Sequence, residues 1–276
     1  MQFNVFICPA CGGALEDTGH ALRCGNGHSF DKARQGYVHL LPVQKKNSLL
    51  PGDDKDMVTA RRNFLETGLY APFKDVLCGI VQEAVEGNDS PLVVDAGCGE
   101  GYYTGGVWQA LQESCETPKL CAFDISKFAV KAAAGRYKGI DFAVASSYAV
   151  PLPENCADVI VNVFSPMAEK EFARILKPGG TLVFAVPSAR HLWGLKEVLY
   201  DEPYENEEKD VDYPGFVLED RVPVRATIHV QGESIGDLFA MTPYAWKTGT
   251  PGKQRLAELP ELSTEIGFDF LLYKRV

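Results

Sequence analysis

The chain has 276 residues, 46% hydrophobic and 23% charged, with a formal net charge of −10. That apolar share can bury a real core, which excludes a mainly disordered chain, and the length suits one large domain or two ordinary ones. No apolar run reaches the roughly 18–20 residues that span a bilayer, and Met1–Ile7 lacks the basic flank and apolar stretch of a signal peptide, so a cytoplasmic location is expected.

Residues 1–38 read as a small metal-binding module. Three of the eight cysteines fall within the first 24 residues, while the rest are scattered singly, as in a reduced protein with one metal site. Cys8-Pro9-Ala10-Cys11-Gly12-Gly13 and Cys24-Gly25-Asn26-Gly27-His28 form two glycine-bearing turns, each presenting two soft ligands. Glycines there let backbone N–H groups turn toward the sulfurs. Four protein ligands (Cys8, Cys11, Cys24 and His28) leave no open position, which describes structural rather than catalytic zinc. A segment so poor in core residues needs the metal in order to fold.

Residues 39–90 read as a basic loop and helical linker. Pro42 and Pro51-Gly52 mark loop, and apolar positions then recur with helical spacing at Val58, Phe64, Leu65, Val76, Ile80, Val81 and Ala84. Charge is uneven along the chain. Lys32, Arg34, Lys45, Lys46, Lys55, Arg61 and Arg62 outnumber Asp53, Asp54 and Asp56, whereas nine acids face Lys209 alone between Asp201 and Asp220. A basic stretch is most simply a solvated surface, yet it can hold a polyanion if its charges converge.

Residues 91–276 alternate short β-branched runs with amphipathic helices: Leu92–Ala96, a helix near Thr104–Ser114, Lys119–Phe123, a helix at Lys127–Tyr137, Asp141–Ala145, Val159–Phe164, a helix at Glu169–Leu176, and Thr181–Val186. Such alternation predicts βαβ units and a doubly wound, mostly parallel α/β sheet. Val224–Val230 and Phe268–Tyr273 complete it as two more strands with a short helix between them, making seven.

Within this part, Asp95-Ala96-Gly97-Cys98-Gly99-Glu100-Gly101 follows one strand and opens a helix. Glycines at alternate positions bring backbone close to a ligand, and the helix beyond offers unpaired N–H groups. A dinucleotide fingerprint would place its third glycine one position later. The D-x-G-x-G-x-G pattern instead resembles motif I of class I S-adenosylmethionine-dependent methyltransferases. Asp124 at the next strand end suits both ribose hydroxyls. Ser146-Ser147 with Val150-Pro151-Leu152-Pro153 resembles the adenine-side motif, with Ser146 where that family usually has an acid. Leu176-Lys177-Pro178-Gly179-Gly180 is a further shared turn. P-loop, H-E-x-x-H and G-x-S-x-G motifs are absent, so NTPase, metalloprotease and α/β-hydrolase readings lack support.

Four further stretches carry a more specific likeness: Phe30 through Gln44, Pro51-Gly52-Asp53, Ala60-Arg61-Arg62-Asn63-Phe64-Leu65 and Gly68-Leu69-Tyr70-Ala71-Pro72. With Gly97 through Thr104, Ala189-Arg190-His191-Leu192 and Met241 through Lys247, the chain resembles the 23S rRNA (guanine-N1)-methyltransferases over essentially its whole length. The resemblance implies methyl transfer from S-adenosylmethionine to guanine N1 in a 23S rRNA hairpin loop. It also implies cofactor contacts from Tyr70, Glu100, Tyr102 and His191 beside Asp95, Gly97, Gly99, Gly101 and Asp124. On this reading the module and the Lys32–Arg62 stretch bind RNA phosphates. Guanine N1 must be unpaired or flipped out, making Phe164, Tyr244 and Trp246 candidate stacking surfaces. N1 also carries a proton, for which the sequence supplies no convincing general base. The alternatives are a methyltransferase for a small metabolite and a non-catalytic cofactor-binding RNA partner. Whether the chain forms a homodimer is left open.

Overall fold

The computed structural model describes residues 5–42, 51–207 and 212–276. It begins with a three-stranded antiparallel sheet of β1 (Leu15–Asp17), β2 (Ala21–Cys24) and β3 (Ser29–Asp31), then the two-residue β4 (Val38–His39). Two helices follow, α1 (Lys55–Glu66) and α2 (Ala71–Ala84). The Asp54 carboxylate accepts the N–H groups of Asp56 and Met57 and so starts α1, whereas α2 opens with Pro72 in its first turn, where no N–H is required.

The α/β part comprises β5 (Leu92–Ala96), α3 (Tyr102–Ser114), β6 (Lys119–Asp124), α4 (Lys127–Arg136), β7 (Asp141–Val144), β8 (Ala157–Val163), α5 (Glu169–Ile175), β9 (Leu176–Pro187) and α6 (Trp193–Leu199). It ends with β10 (Phe216–Gln231), α7 (Glu233–Ala240), α8 (Tyr244–Lys247), α9 (Thr250–Ala257) and β11 (Glu261–Arg275). The sheet order is β10-β11-β9-β8-β5-β6-β7-β4, with β11 antiparallel to both its neighbours and the remaining pairs parallel. From β5 the chain winds outward through β6 and β7, then returns to β8 on the other side. The order therefore reverses between β5 and β8, where open α/β sheets bind ligands beyond their carboxyl ends.

The doubly wound sheet expected from the sequence is present, with three differences. Val38–His39 adds an eighth strand beside β7 and straddles the anticipated boundary after residue 38. The last two strands are 16 and 15 residues long, because their outer parts pair with each other and need no apolar run. Three helices, rather than one, lie between them.

Alternation along the strands separates two buried clusters. Val93, Ala122, Val161 and Phe268 join the helical side with Phe73, Leu77 and Leu111. Val94, Phe123, Ile160 and Leu271 join the other, with Phe172 and Ile175 of α5. Phe6, Leu15 and Leu22 of the cysteine-rich module belong to this second cluster, and the Ile7 N–H donates to the Pro151 carbonyl at 2.9 Å. The module thus covers part of one sheet face. Among the described residues, no helix is long and apolar enough to cross a membrane.

Candidate functional site: a thiolate cluster and a glycine loop at the strand reversal

Cys8, Cys11, Cys24 and His28 place their ligand atoms within 4.8 Å of one another. Two matching turns make this possible. Cys8 N–H donates to Gly13 O and Gly12 N–H to Cys8 O, both at 2.8 Å; Cys24 N–H donates to His28 O and Gly27 N–H to Cys24 O, both at 3.0 Å. Tetrahedral zinc with sulfur at about 2.3 Å and nitrogen at about 2.0–2.1 Å separates S from S by about 3.8 Å and S from N by about 3.6 Å. Cys11 Sγ stands 3.7 Å from Cys24 Sγ, and His28 Nδ1 stands 3.6 Å from Cys8 Sγ and 3.3 Å from Cys24 Sγ. The donor set fits zinc, and all eight cysteines are free of disulfides. The backbone N–H of Gly13 contributes most to lowering the Cys11 thiol to about 6.

The second site lies at the reversal between β5 and β8. Asp95 is buried at the end of β5, its Oδ2 accepting from Thr104 Oγ1 at 2.5 Å, so it braces α3 against the loop. Burial pushes its carboxyl up to about 7. Gly97 and Cys98 both donate to the Phe123 carbonyl, at 2.8 and 3.0 Å, which ties the loop to β6. Gly97 has φ +87°, and any Cβ there would collide with Ser165 just beyond β8. Glycine is therefore required where the two strand-end loops meet. Gly101, at φ +91°, caps α3.

Asp124 closes β6 half-buried, one oxygen accepting from Gly99 N–H at 3.0 Å and the other from Ser126 N–H at 2.7 Å. Burial raises its carboxyl while these two N–H groups oppose the rise. Each oxygen retains a lone pair, which suits a vicinal diol. Glu100 turns inward: its side chain is 1% exposed, Oε1 accepts from Tyr102 N–H at 3.0 Å, and Oε2 lies 3.6 Å from Arg62 Nε. Tyr102 is half-buried at the start of α3, its ring 5.3 Å from Lys74 Nζ.

Tyr70 and His191 come together around Phe268. The Tyr70 ring sits 5.6 Å from Phe268 and 5.3 Å from Phe64, and its buried hydroxyl has no partner among the described residues. A stranded hydroxyl of this kind costs about 1–3 kcal/mol until a ligand satisfies it. The His191 ring centroid is 4.4 Å from Phe268, and its Nδ1 accepts the Gly267 N–H at 3.4 Å. Burial, with the Lys196 ammonium nearby, lowers His191 to about 3. The imidazole is thus neutral at ordinary pH with its proton on Nε2, a donor rather than a base.

Sequence reasoning missed Lys196, the aromatic floor and the backbone strain at two residues that it had named, Phe164 and Leu192. Lys196 is fully buried on α6, and its ammonium donates to Tyr204 O and Asn206 Oδ1, both at 2.8 Å. Phe73 and Phe268 form the aromatic floor, with centroids 4.2 Å apart. Phe164 and Leu192 take left-handed backbone, φ +53° and +57°, at the loops after β8 and β9. Strain held in two large residues around one crevice marks a place where side-chain direction matters more than local comfort. At Phe164 it leaves the ring 49% exposed, 4.7 Å from Phe268 and 6.5 Å from His191. Of the other stacking candidates, Tyr244 lies 5.7 Å from Lys196 Nζ, whereas Trp246 is 70% exposed.

The basic stretch is redistributed. Lys45 and Lys46 lie outside the described residues. Arg61 pairs with Asp53 and Arg62 faces Glu100, so neither guanidinium is the freely solvated phosphate contact expected from sequence.

Known proteins bear on both sites. Residues 6–49 match the family model "RlmA, N-terminal", a zinc ribbon, and residues 93–180 match the model "Methyltransferase domain". A Streptomyces fradiae protein named 23S rRNA (guanine(748)-N(1))-methyltransferase is 34% identical over 259 residues, covering 92% of this chain and 90% of that one. A Micromonospora griseorubida protein, provisionally named a 23S rRNA (guanine-N1)-methyltransferase, is 34% identical over 87% of this chain and 86% of its own. A Bacillus subtilis protein with the same provisional name, YxjB, is 28% identical over 99% and 98%.

Proposed function

The chain belongs to the 23S rRNA (guanine-N1)-methyltransferase family, and on that premise we propose that it transfers a methyl group from S-adenosylmethionine to N1 of one guanine in a 23S rRNA hairpin loop. The observation carrying this reading is the meeting of the Gly97–Gly101 loop with the Phe164–Ser165 turn at the strand reversal. One side of that crevice suits a nucleoside and its amino-acid tail, and the other presents a half-exposed aromatic to a base.

The sulfonium of the cofactor supplies an already activated methyl group, so positioning and exclusion of water remain the protein's task. Asp124 would accept the ribose hydroxyls, the backbone at Gly97 and Gly99 would line the amino-acid portion, and Tyr70 Oη and His191 Nε2 would donate to it. Asp95, Glu100, Gly101 and Tyr102 would act from behind, by fixing the loop and the start of α3. Phe164 would stack on the extruded guanine, since aromatic faces receive unstacked bases without reading them.

Cys8, Cys11, Cys24 and His28 would hold a structural zinc ion. The parts then divide as a zinc module over 1–38, a basic linker over 39–90 and a methyltransferase domain over 91–276. The first two would give the RNA its register, and a cytoplasmic site of action follows from an rRNA substrate. The test uses labelled S-adenosylmethionine with 23S rRNA from cells lacking the protein, followed by digestion to nucleosides. Label in N1-methylguanosine is expected. No label in the RNA, from protein that still binds S-adenosylhomocysteine, would overturn the rRNA reading in favour of the metabolite alternative.

A further inference from the structure

Two consecutive arginines on α1 reach the glycine loop, and they do different things there. Arg62 turns inward, its Nε 3.6 Å from Oε2 of Glu100, a carboxylate with almost no exposure. Arg61 keeps a solvent-side edge, with its side chain 24% exposed. Its Nη1, the nitrogen nearest the loop, pairs with Asp53, and Nη2 lies 3.5 Å from the Met241 carbonyl. Five N–H donors on a guanidinium leave several unspent after these contacts.

What faces that edge is the middle glycine of the loop. Gly99 has φ +55°, and its N–H is given to Asp124. Among the described residues, and apart from its own chain neighbours, a Cβ built on Gly99 would meet one heavy atom within 4 Å, Arg61 Nη1 at 3.7 Å. The group among the described residues that walls the space above Gly99 is therefore a guanidinium. The wall is itself fixed. Ser126 Oγ donates to the Asp53 carbonyl at 2.6 Å, and a Cβ on Gly52 would come within 2.8 Å of Ile125 and 3.0 Å of Ser126 N, so the 51–53 turn rests directly on the end of the ribose-side strand.

S-adenosylmethionine brings a sulfonium, an ammonium and a carboxylate. Asp53, Glu100 and Asp124 make the surroundings acidic, which suits its two cationic groups but leaves the carboxylate needing a cation. We propose that Arg61 is the residue that pairs with the carboxylate of the donor's amino-acid moiety, so that the 51–62 arm forms a wall of the donor pocket. This rests on the reading of the Gly97–Gly101 loop as the S-adenosylmethionine site. It replaces the expectation that Arg61 contacts RNA phosphates.

The experiment is calorimetric titration of the full chain with two ligands, S-adenosylhomocysteine and 5′-methylthioadenosine. The second keeps the adenosine and the thioether but lacks the amino-acid carboxylate. Arg61→Gln is expected to weaken S-adenosylhomocysteine about tenfold to 100-fold while leaving 5′-methylthioadenosine within about twofold, and Arg61→Lys is expected to recover part of the loss. Retained 5′-methylthioadenosine binding also shows that the variant is folded. The salt dependence of RNA binding should not change in Arg61→Gln, as it would if a phosphate contact were lost. Equal weakening of both ligands, or of neither, overturns the proposal. If the unaltered protein binds neither ligand, the underlying reading of the glycine loop fails instead.

Discussion

The cysteine-rich module and the α/β sheet are held together by different physics. In the sheet, alternate residues of nearly every strand are buried on opposite faces, and the fold follows from apolar area removed from water. In the module, three strands of three or four residues enclose very little core, and four ligand atoms within 4.8 Å define the architecture. The difference teaches that two regions of one chain can fail independently at source and still be coupled. Phe6, Leu15 and Leu22 belong to the cysteine-rich module but spend their apolar surface on the sheet.

Breaking the metal site should therefore have the largest effect. Cys24→Ser is expected to abolish stoichiometric zinc, measured by atomic emission. By uncovering the sheet face under Phe6, Leu15 and Leu22, it should also lower Tm by on the order of 10 °C. An unchanged Tm would mean that the module hangs free of the domain and that its packing contributes nothing.

A smaller effect, confined to the other region, is expected at Phe164. Phe164→Ala should reduce transfer to RNA about tenfold to 100-fold, the usual worth of one base–aromatic stack, while S-adenosylhomocysteine affinity stays within about twofold. Phe164→Tyr should retain most of the rate. If donor affinity falls together with the rate, the ring packs the floor and does not receive the base.

The smallest effect sharpens the account of the sheet itself. Asp95 has a folded-state carboxyl at about 7 against an ordinary 3.8, because burial penalises its charge. Its contribution to stability is therefore complete below about pH 4, declines as the pH rises toward about 7, and stays lost above that. Asp95→Asn cannot ionise and still offers Thr104 an acceptor, so Tm plotted against pH should become flatter between about 4 and 7. An unaltered slope would mean that Asp95 is not the group titrating there.

Legibility in the sequence follows the same division. Leu92–Ala96 reads correctly because a β-branched run buried on both sides leaves no competing periodicity. The pair β10 and β11 extends well beyond its apolar core, since an antiparallel edge tolerates exposed polar positions that look like loop. The ligand quartet and the D-x-G-x-G-x-G loop were legible because their chemistry fixes residue types at fixed spacings. The burial of Lys196, the inward turn of Arg61 and the left-handed backbone of Phe164 were not, although Phe164 itself stood among the stacking candidates. Burial of a lysine, the inward turn of an arginine and a left-handed phenylalanine are set by partners that helical or strand periodicity does not reveal: Asn206 and Asp53 in adjoining loops, and Phe268 on a strand far along the chain. The docking of the module on the sheet was equally hidden, because Phe6 and Leu15 carry no periodic signal.

The central claim is modification of one rRNA guanine at N1, and reverse transcription along 23S rRNA tests it most directly. A methyl group at N1 blocks base pairing and stops the polymerase, so rRNA from cells with and without this protein can be compared position by position. The account predicts a single protein-dependent stop at a guanine in a hairpin loop, absent when Cys24→Ser replaces the natural chain. Identical patterns in the two RNAs, with the protein still binding S-adenosylhomocysteine, would contradict it.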